Sequence, residues 1–130
     1  MKFLDTYRSQ IFAAARIVFG VLFASHGLQK VFMMFGGAPA EMPDAARYVI
    51  GGIELVGGAM IAIGFKTRLA AFICSGQMAV AYFAVHQKDG FLPIQNHGEL
   101  AALYCWAFLM IASVRDWMWA VDSRSDAAET

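Results

Sequence analysis

The sequence predicts an all-α fold: four transmembrane helices in an antiparallel bundle, with both ends of the chain on one side of a bilayer. Three observations lead there. The chain has 130 residues, 59% hydrophobic and only 15% charged, whereas a soluble domain carries about a quarter charged residues. Its charges divide it into four apolar segments, roughly residues 11–35, 46–65, 69–87 and 99–114. These segments lack the polar face that a helix of a soluble bundle turns to water. From Leu69 to Val85 the polar side chains are few: Ser75, Gln77 and Tyr82.

A bilayer core takes about 20 helical residues. The second segment, opened by Pro43-Asp44, and the third meet that length directly. The first contains Arg16, His26, Gln29 and Lys30, and spans if its basic side chains snorkel to the interfaces. Arg16 then reads as an inner-interface anchor, and Trp106, Trp117 and Trp119 as aromatic anchors for the fourth segment. Asp5 and Arg8 interrupt the N-terminus, which does not read as a cleaved signal. Lys66-Thr67-Arg68 is short enough to make the second and third helices antiparallel neighbours, while the two longer links hold all three prolines. The tail from Asp122 to Thr130 is small and polar and is expected to be mobile. The whole of 1–130 reads as one domain.

Lysine and arginine counts set the orientation. Lys2, Arg8, Arg16, Lys66, Arg68, Arg115 and Arg124 fall on the side of the termini, against Lys30, Arg47 and Lys88 on the other. The termini are therefore expected in the cytoplasm. Net charge is zero, so nothing suggests a nucleic-acid partner.

Helical rise gives depths. Taking Lys30, Arg47, Gln87 and Glu99 as outer edges, His26 lies ~6 Å below its edge, Glu54 ~10 Å, Tyr82 ~8 Å and Tyr104 ~8 Å. Each helix thus contributes a polar side chain to one layer in the outer half, with His86 and Glu99 at the rim. Glu54 shares a face with Gly51, Gly57 and Gly58, so it points into the bundle. Ionisable groups inside membranes are costly and tend to be functional. A structural reading stands beside each: Glu54 as ion-pair partner of Lys30 or Arg47, His26 as a satisfied interior histidine, and Asn96 with Glu99 as a capping box. Cys74 and Cys105 lie at unequal depths, ~19 Å and ~9 Å by the same rise, and read as packing residues. The methionines read as packing. No P-loop, dinucleotide fingerprint, HExxH or CxxC pair is present, and neither haem nor a metal is expected.

Several motifs together resemble the DoxX family. They are Arg16 … His26-Gly27-Leu28-Gln29-Lys30, Gly51-Gly52-Ile53-Glu54-Leu55-Val56-Gly57-Gly58 and Thr67-Arg68-Leu69-Ala70-Ala71. They continue with Ala79-Val80-Ala81-Tyr82-Phe83 … His86 … Gly90-Phe91 and Asn96-His97-Gly98-Glu99 … Leu103-Tyr104. The match covers roughly Ala13 to Val114. The family usually carries glycine where this chain has His97, which adds a candidate ligand or proton carrier. The resemblance implies a small four-helix protein of the bacterial cytoplasmic membrane. Its relatives include the quinone-reducing DoxD subunit of thiosulfate oxidation, and others act in complexes with soluble redox enzymes.

On that basis the expected function is a membrane redox subunit, quinone-linked, with a polar site in the outer half. His26 and Glu54 are the catalytic candidates. Lys30, Tyr82, His86, Glu99 and Tyr104 are expected to line the quinone site. The alternative is a non-enzymatic assembly or chaperone module, with glycine faces, Gly20-Ala24-Gly27 among them, as partner or homo-oligomer surfaces. Solute transport through the bundle ranks last.

Overall fold

The computed structural model describes residues 1–123. Their regular structure is helical, with no strand among them. A short α1 (Lys2–Thr6) leads into α2 (Arg8–Phe32), followed by α3 (Asp44–Ile63) and α4 (Thr67–Ala81). The chain continues from α4 through a π-helical turn, Tyr82–His86, and a 3₁₀ turn, Gln87–Asp89. A single turn, α5 (Pro93–Asn96), precedes α6 (Glu99–Ser113). Three helical stretches, Arg8–Phe32, Asp44–Ile63 and Thr67–Asp89, are long and apolar enough to cross a membrane. At 15 residues, α6 is apolar but shorter.

The surface shows what solvent this fold needs. Val18, Leu22, Val49, Phe72, Val80, Leu103 and Trp106 all face outward. In water such a continuous apolar surface aggregates, whereas hydrocarbon accepts it. The helices satisfy their own backbone groups, as a segment in lipid must.

The closest packing is between α2 and α3. A Cβ on Gly58 would stand 2.5 Å from the Ala24 nitrogen, and one on Gly20 would stand 2.5 Å from the Ala62 nitrogen. Gly27 lies against Leu55 and Gly51 against Lys30 and Val31. Residue numbers rise on one helix as they fall on the other, so the two run antiparallel. The Gly20-Ala24-Gly27 face, a candidate partner surface by sequence, is instead used up inside the protomer.

Helices α4 and α6 are also antiparallel. The Ser75 hydroxyl donates to the Cys105 carbonyl at 2.8 Å, and Arg68 Nε donates to that of Ala112 at 3.0 Å. Phe23, Tyr104 and Phe108 interlock at the centre, with ring centroids 4.7–5.4 Å apart. This register corrects the depth estimate. Glu99 stands level with Ala81, about 9 Å below Gln87, because the chain beyond α4 rises and folds back through α5 before α6 begins. Cys74 and Cys105 consequently lie at similar depth, and both are free.

Three further expectations change. Arg16 does not snorkel outward; it is fully buried within the protein, against the last turn of α3. Its Nη1 donates to the carbonyls of Ile61 and Ala62, and its Nη2 to those of Met118 and Trp119. A planar guanidinium offers five N–H donors in a fixed fork and so serves four acceptors, more than the three donors of a lysine can. Trp117 is likewise no interfacial anchor: it is buried, with the Arg16 guanidinium 5.6 Å from its ring centre. Nor is Asp122 part of a free tail. Its carboxylate accepts from the backbone N–H groups of Lys66 (2.8 Å) and Thr67 (2.9 Å) and from the Thr67 hydroxyl (2.9 Å), capping α4 from across the chain. The rest of that tail, 124–130, lies outside the described residues, and with it Arg124 from the charge count.

Two predictions follow from this packing. Gly58→Leu should lower thermal stability in detergent by several degrees, while Gly52→Ala, where a Cβ meets nothing within 4 Å, should leave it unchanged. The Asp122 carboxyl is pushed up by its partial burial, but the Thr67 and Lys66 donors and nearby Arg16 outweigh this and hold it below the usual carboxylate range. A depressed value means the stabilisation is complete above the unfolded value of ~3.9 and is lost as pH falls through the folded one. Asp122→Ala should therefore cost about 0.5–2 kcal/mol near neutrality, with the gap to wild type closing in acid melts.

Candidate functional site

Close approach of α2 to α3 sets Lys30 against Glu54. Lys30 Nζ donates to Glu54 Oε2 at 2.7 Å, with both side chains largely buried. Gln77 of α4 donates from Nε2 to the other carboxylate oxygen at 3.3 Å. Arg47, the other candidate partner, turns outward to Asp44 at 3.1 Å and donates to the Lys30 carbonyl at 3.0 Å. Glu54 is thus held from two helices, one partner on each oxygen.

This carboxylate borders a cavity of about 480 Å³ whose lining includes residues of both longer links. Phe23, Met78, Ala101 and Leu100 supply apolar wall, and Pro39 and Met42 of the first link reach over it. His26, Lys30, Glu54, Gln77, His86, His97 and Tyr104 bring the polar atoms. The His26 ring meets Tyr104 edge-on, 6.1 Å between centroids. An apolar slot with a few convergent polar groups is the form of a small-molecule site.

Of the residues singled out by sequence, His26, Lys30, Glu54, His86 and Tyr104 come together on this cavity. Tyr82 and Glu99 do not. Register places Tyr82 more than a turn outward of Gln77, where its hydroxyl accepts from Asn96 Nδ2 at 3.2 Å. Glu99 is exposed at the start of α6. The layer at the depth of Glu54 is therefore His26, Glu54, Gln77 and Tyr104, with Gln77 in the place given to Tyr82. The signal for Gln77 was present: an amide in the middle of an otherwise apolar segment.

Asn96 also differs from expectation. Gly98, not Asn96, precedes the first residue of α6, and no side chain caps it. Asn96 instead closes the loop, donating to the Gly90 carbonyl at 2.9 Å and accepting from the Gly98 N–H at 2.8 Å. Its own carbonyl lies 3.1 Å from His86 Nδ1. His97 has φ 57°, a left-handed conformation that glycine adopts most easily. That explains why glycine suits the position and how the histidine is presented to the cavity mouth. Among the described residues no three His, Cys, Asp or Glu side chains gather as metal ligands.

Comparison with known proteins agrees with the fold. Residues 11–87 match the DoxX family. The chain is 42% identical over 116 residues to a Haemophilus influenzae protein described as uncharacterized, covering 84% of this chain and 86% of that one. It is 31% identical over 81 residues to a Bacillus subtilis protein named "Putative oxidoreductase CatD", covering 59% and 60% of the two chains. No solved structure gives a significant match. The chain belongs to the DoxX family, and its apolar helices make it a multi-pass membrane protein.

The ion pair gives a direct test. Removing one member of a buried pair leaves an uncompensated charge and costs about 3–5 kcal/mol, whereas replacing both by apolar residues is often neutral. Lys30→Met should therefore destabilise the protein strongly, and Lys30→Met combined with Glu54→Met should recover most of the loss in thermal melts.

Proposed function

We propose that this protein is a quinone-linked redox subunit of the bacterial cytoplasmic membrane, with the Glu54 cavity as its quinone site. The observation that carries the reading is the pairing of an apolar cavity with hydrogen-bonding groups concentrated around one buried carboxylate. The residues fit the ligand. Phe23, Met78 and Leu100 suit an aromatic ring and an isoprenoid chain, and the volume is within the ~300–1,000 Å³ of small-molecule pockets. Lys30 keeps N–H donors beyond the one given to Glu54, and His26 and Tyr104 can each donate to a carbonyl oxygen. A bound quinone takes up two electrons together with two protons. Glu54 is placed to hand on a proton, with His26 at its own depth and His86 and His97 nearer the cavity mouth. The relative named as an oxidoreductase supports the redox class.

All four of α2, α3, α4 and α6 cross the bilayer in this reading, as an antiparallel bundle. The short α6 is completed at the outer side by the α5 loop and at the inner side by the Trp117–Asp122 segment. The basic residues near the termini favour a cytoplasmic location for both ends, so the cavity opens outward. No sequence motif of this chain binds flavin or nicotinamide, so electrons come from a soluble redox partner or a small sulfur donor.

Binding of a short-chain benzoquinone to the protein in nanodiscs tests the assignment. His26→Ala and Glu54→Gln should each weaken binding about tenfold, the loss of roughly 1.4 kcal/mol. Unchanged affinity in both variants would refute this site.

A further inference from the structure

Gln77 has a second property. Its Nε2 is committed to Glu54 Oε1, but its own Oε1 is buried and has no hydrogen-bond partner. A buried acceptor left empty is uncommon and costs stability. The orientation of the amide follows from its neighbour: turned round, Oε1 would face a carboxylate oxygen, acceptor against acceptor. That objection disappears once Glu54 carries a proton.

The geometry points to Gln77 as an amide rotor that positions the Glu54 carboxyl in both of its protonation states. With Glu54 ionised, Gln77 Nε2–H donates to it, as in this structure. When a proton arrives from a donor in the cavity, it goes to Glu54 Oε1, because Oε2 is held by Lys30. The Nε2–H···Oε1 bond then breaks, the amide turns by half a revolution, and the new Glu54 O–H donates to Gln77 Oε1. One proton is gained and one hydrogen bond is exchanged for another. At the far end of the amide, Oε1 has no hydrogen bond to lose in the turn. An alanine or leucine at position 77 would leave one or both states of Glu54 without a partner on that oxygen.

The surroundings allow Glu54 to be the group that changes. Lys30 and His26 face it from α2, Gln77 and Cys74 from α4, and Tyr104 from α6. Lys30 occupies one oxygen permanently. Gln77 is the group bonded to the other oxygen, and an amide can both donate and accept without itself ionising. This role rests on the reading of Glu54 as a proton carrier, but its test does not require quinone binding.

Infrared difference spectra between acid and neutral pH, on the full chain in lipid with glutamine side chains ¹³C-labelled at the carbonyl, read both partners. In wild type, a carboxylic-acid band should appear on acidification together with a shift of a labelled amide band. Glu54→Gln should remove one component of that acid band together with the amide shift, leaving the components of the other carboxyl groups. Gln77→Met should keep the Glu54 component but move it to higher wavenumber, as for a carboxyl without an acceptor. A purely structural Gln77 would lower the melting temperature and leave the band where it was. An unmoved acid band in Gln77→Met would overturn the rotor. So would a wild-type amide band that ignores the titration, a measurement that needs no variant to fold. Failure of the rotor with intact quinone binding removes only this inference, whereas absent quinone binding with an intact rotor removes the quinone reading and keeps the rotor.

Discussion

The structure depends on how closely α2 and α3 can approach. Inside a bilayer no hydrophobic force draws two helices together, and packing has to come from backbone-to-backbone contact. Gly20, Gly27, Gly51 and Gly58 make that contact possible, because a Cβ at any of them meets the opposing helix. The consequence is chemical as well as mechanical. The same register that lets Gly27 lie on Leu55 puts Lys30 within 2.7 Å of Glu54. With the small residues turned to one side, bulkier side chains such as Phe23 and His26 are turned toward α6, and the cavity forms where those side chains do not fill the space.

The two ends of the molecule are built oppositely. At the inner end, Arg16 gathers four carbonyls from α3 and from the segment after α6, while Asp122 caps α4. Most of the partners of these polar groups are backbone atoms, which ties the segments at this end together. At the outer end, the polar groups are side chains that border a cavity, and the covering elements are a loop at Pro39–Met42, a π-helical turn and a residue in left-handed conformation. π-Helical turns occur frequently at functional sites. The asymmetry is what a protein needs if a ligand is to enter from one side only.

Much of the fold was legible in the sequence because segment length and charge placement are one-dimensional properties. The helix starts at Asp44, Thr67 and Glu99 fall within two residues of the apolar segment starts at 46, 69 and 99. The inward direction of Glu54 followed from the glycines on its face. What could not be read was register between helices distant in sequence. Depth measured from each helix's own charged end treats all ends as level, and α6 starts about six residues deeper than that assumption allows. The error exchanged Tyr82 for Gln77 and separated Cys74 from Cys105. Arg16 was misread for a related reason. Snorkelling is the usual resort of an arginine near a helix end, and the four carbonyls that make full burial possible come partly from residues 102 and 103 positions further along the chain.

The central claim is that the space bounded by Glu54, Lys30 and Gln77 is where a quinone sits. Photo-affinity labelling with an azidoquinone in native-like lipid, followed by peptide mass spectrometry, tests it most directly. The account predicts adducts on Phe23–Lys30, Met78–Val85 and Leu100–Tyr104, suppressed by excess unlabelled quinone. Adducts confined to lipid-facing residues such as Val18, Phe72 or Trp106, and unaffected by that excess, would contradict it.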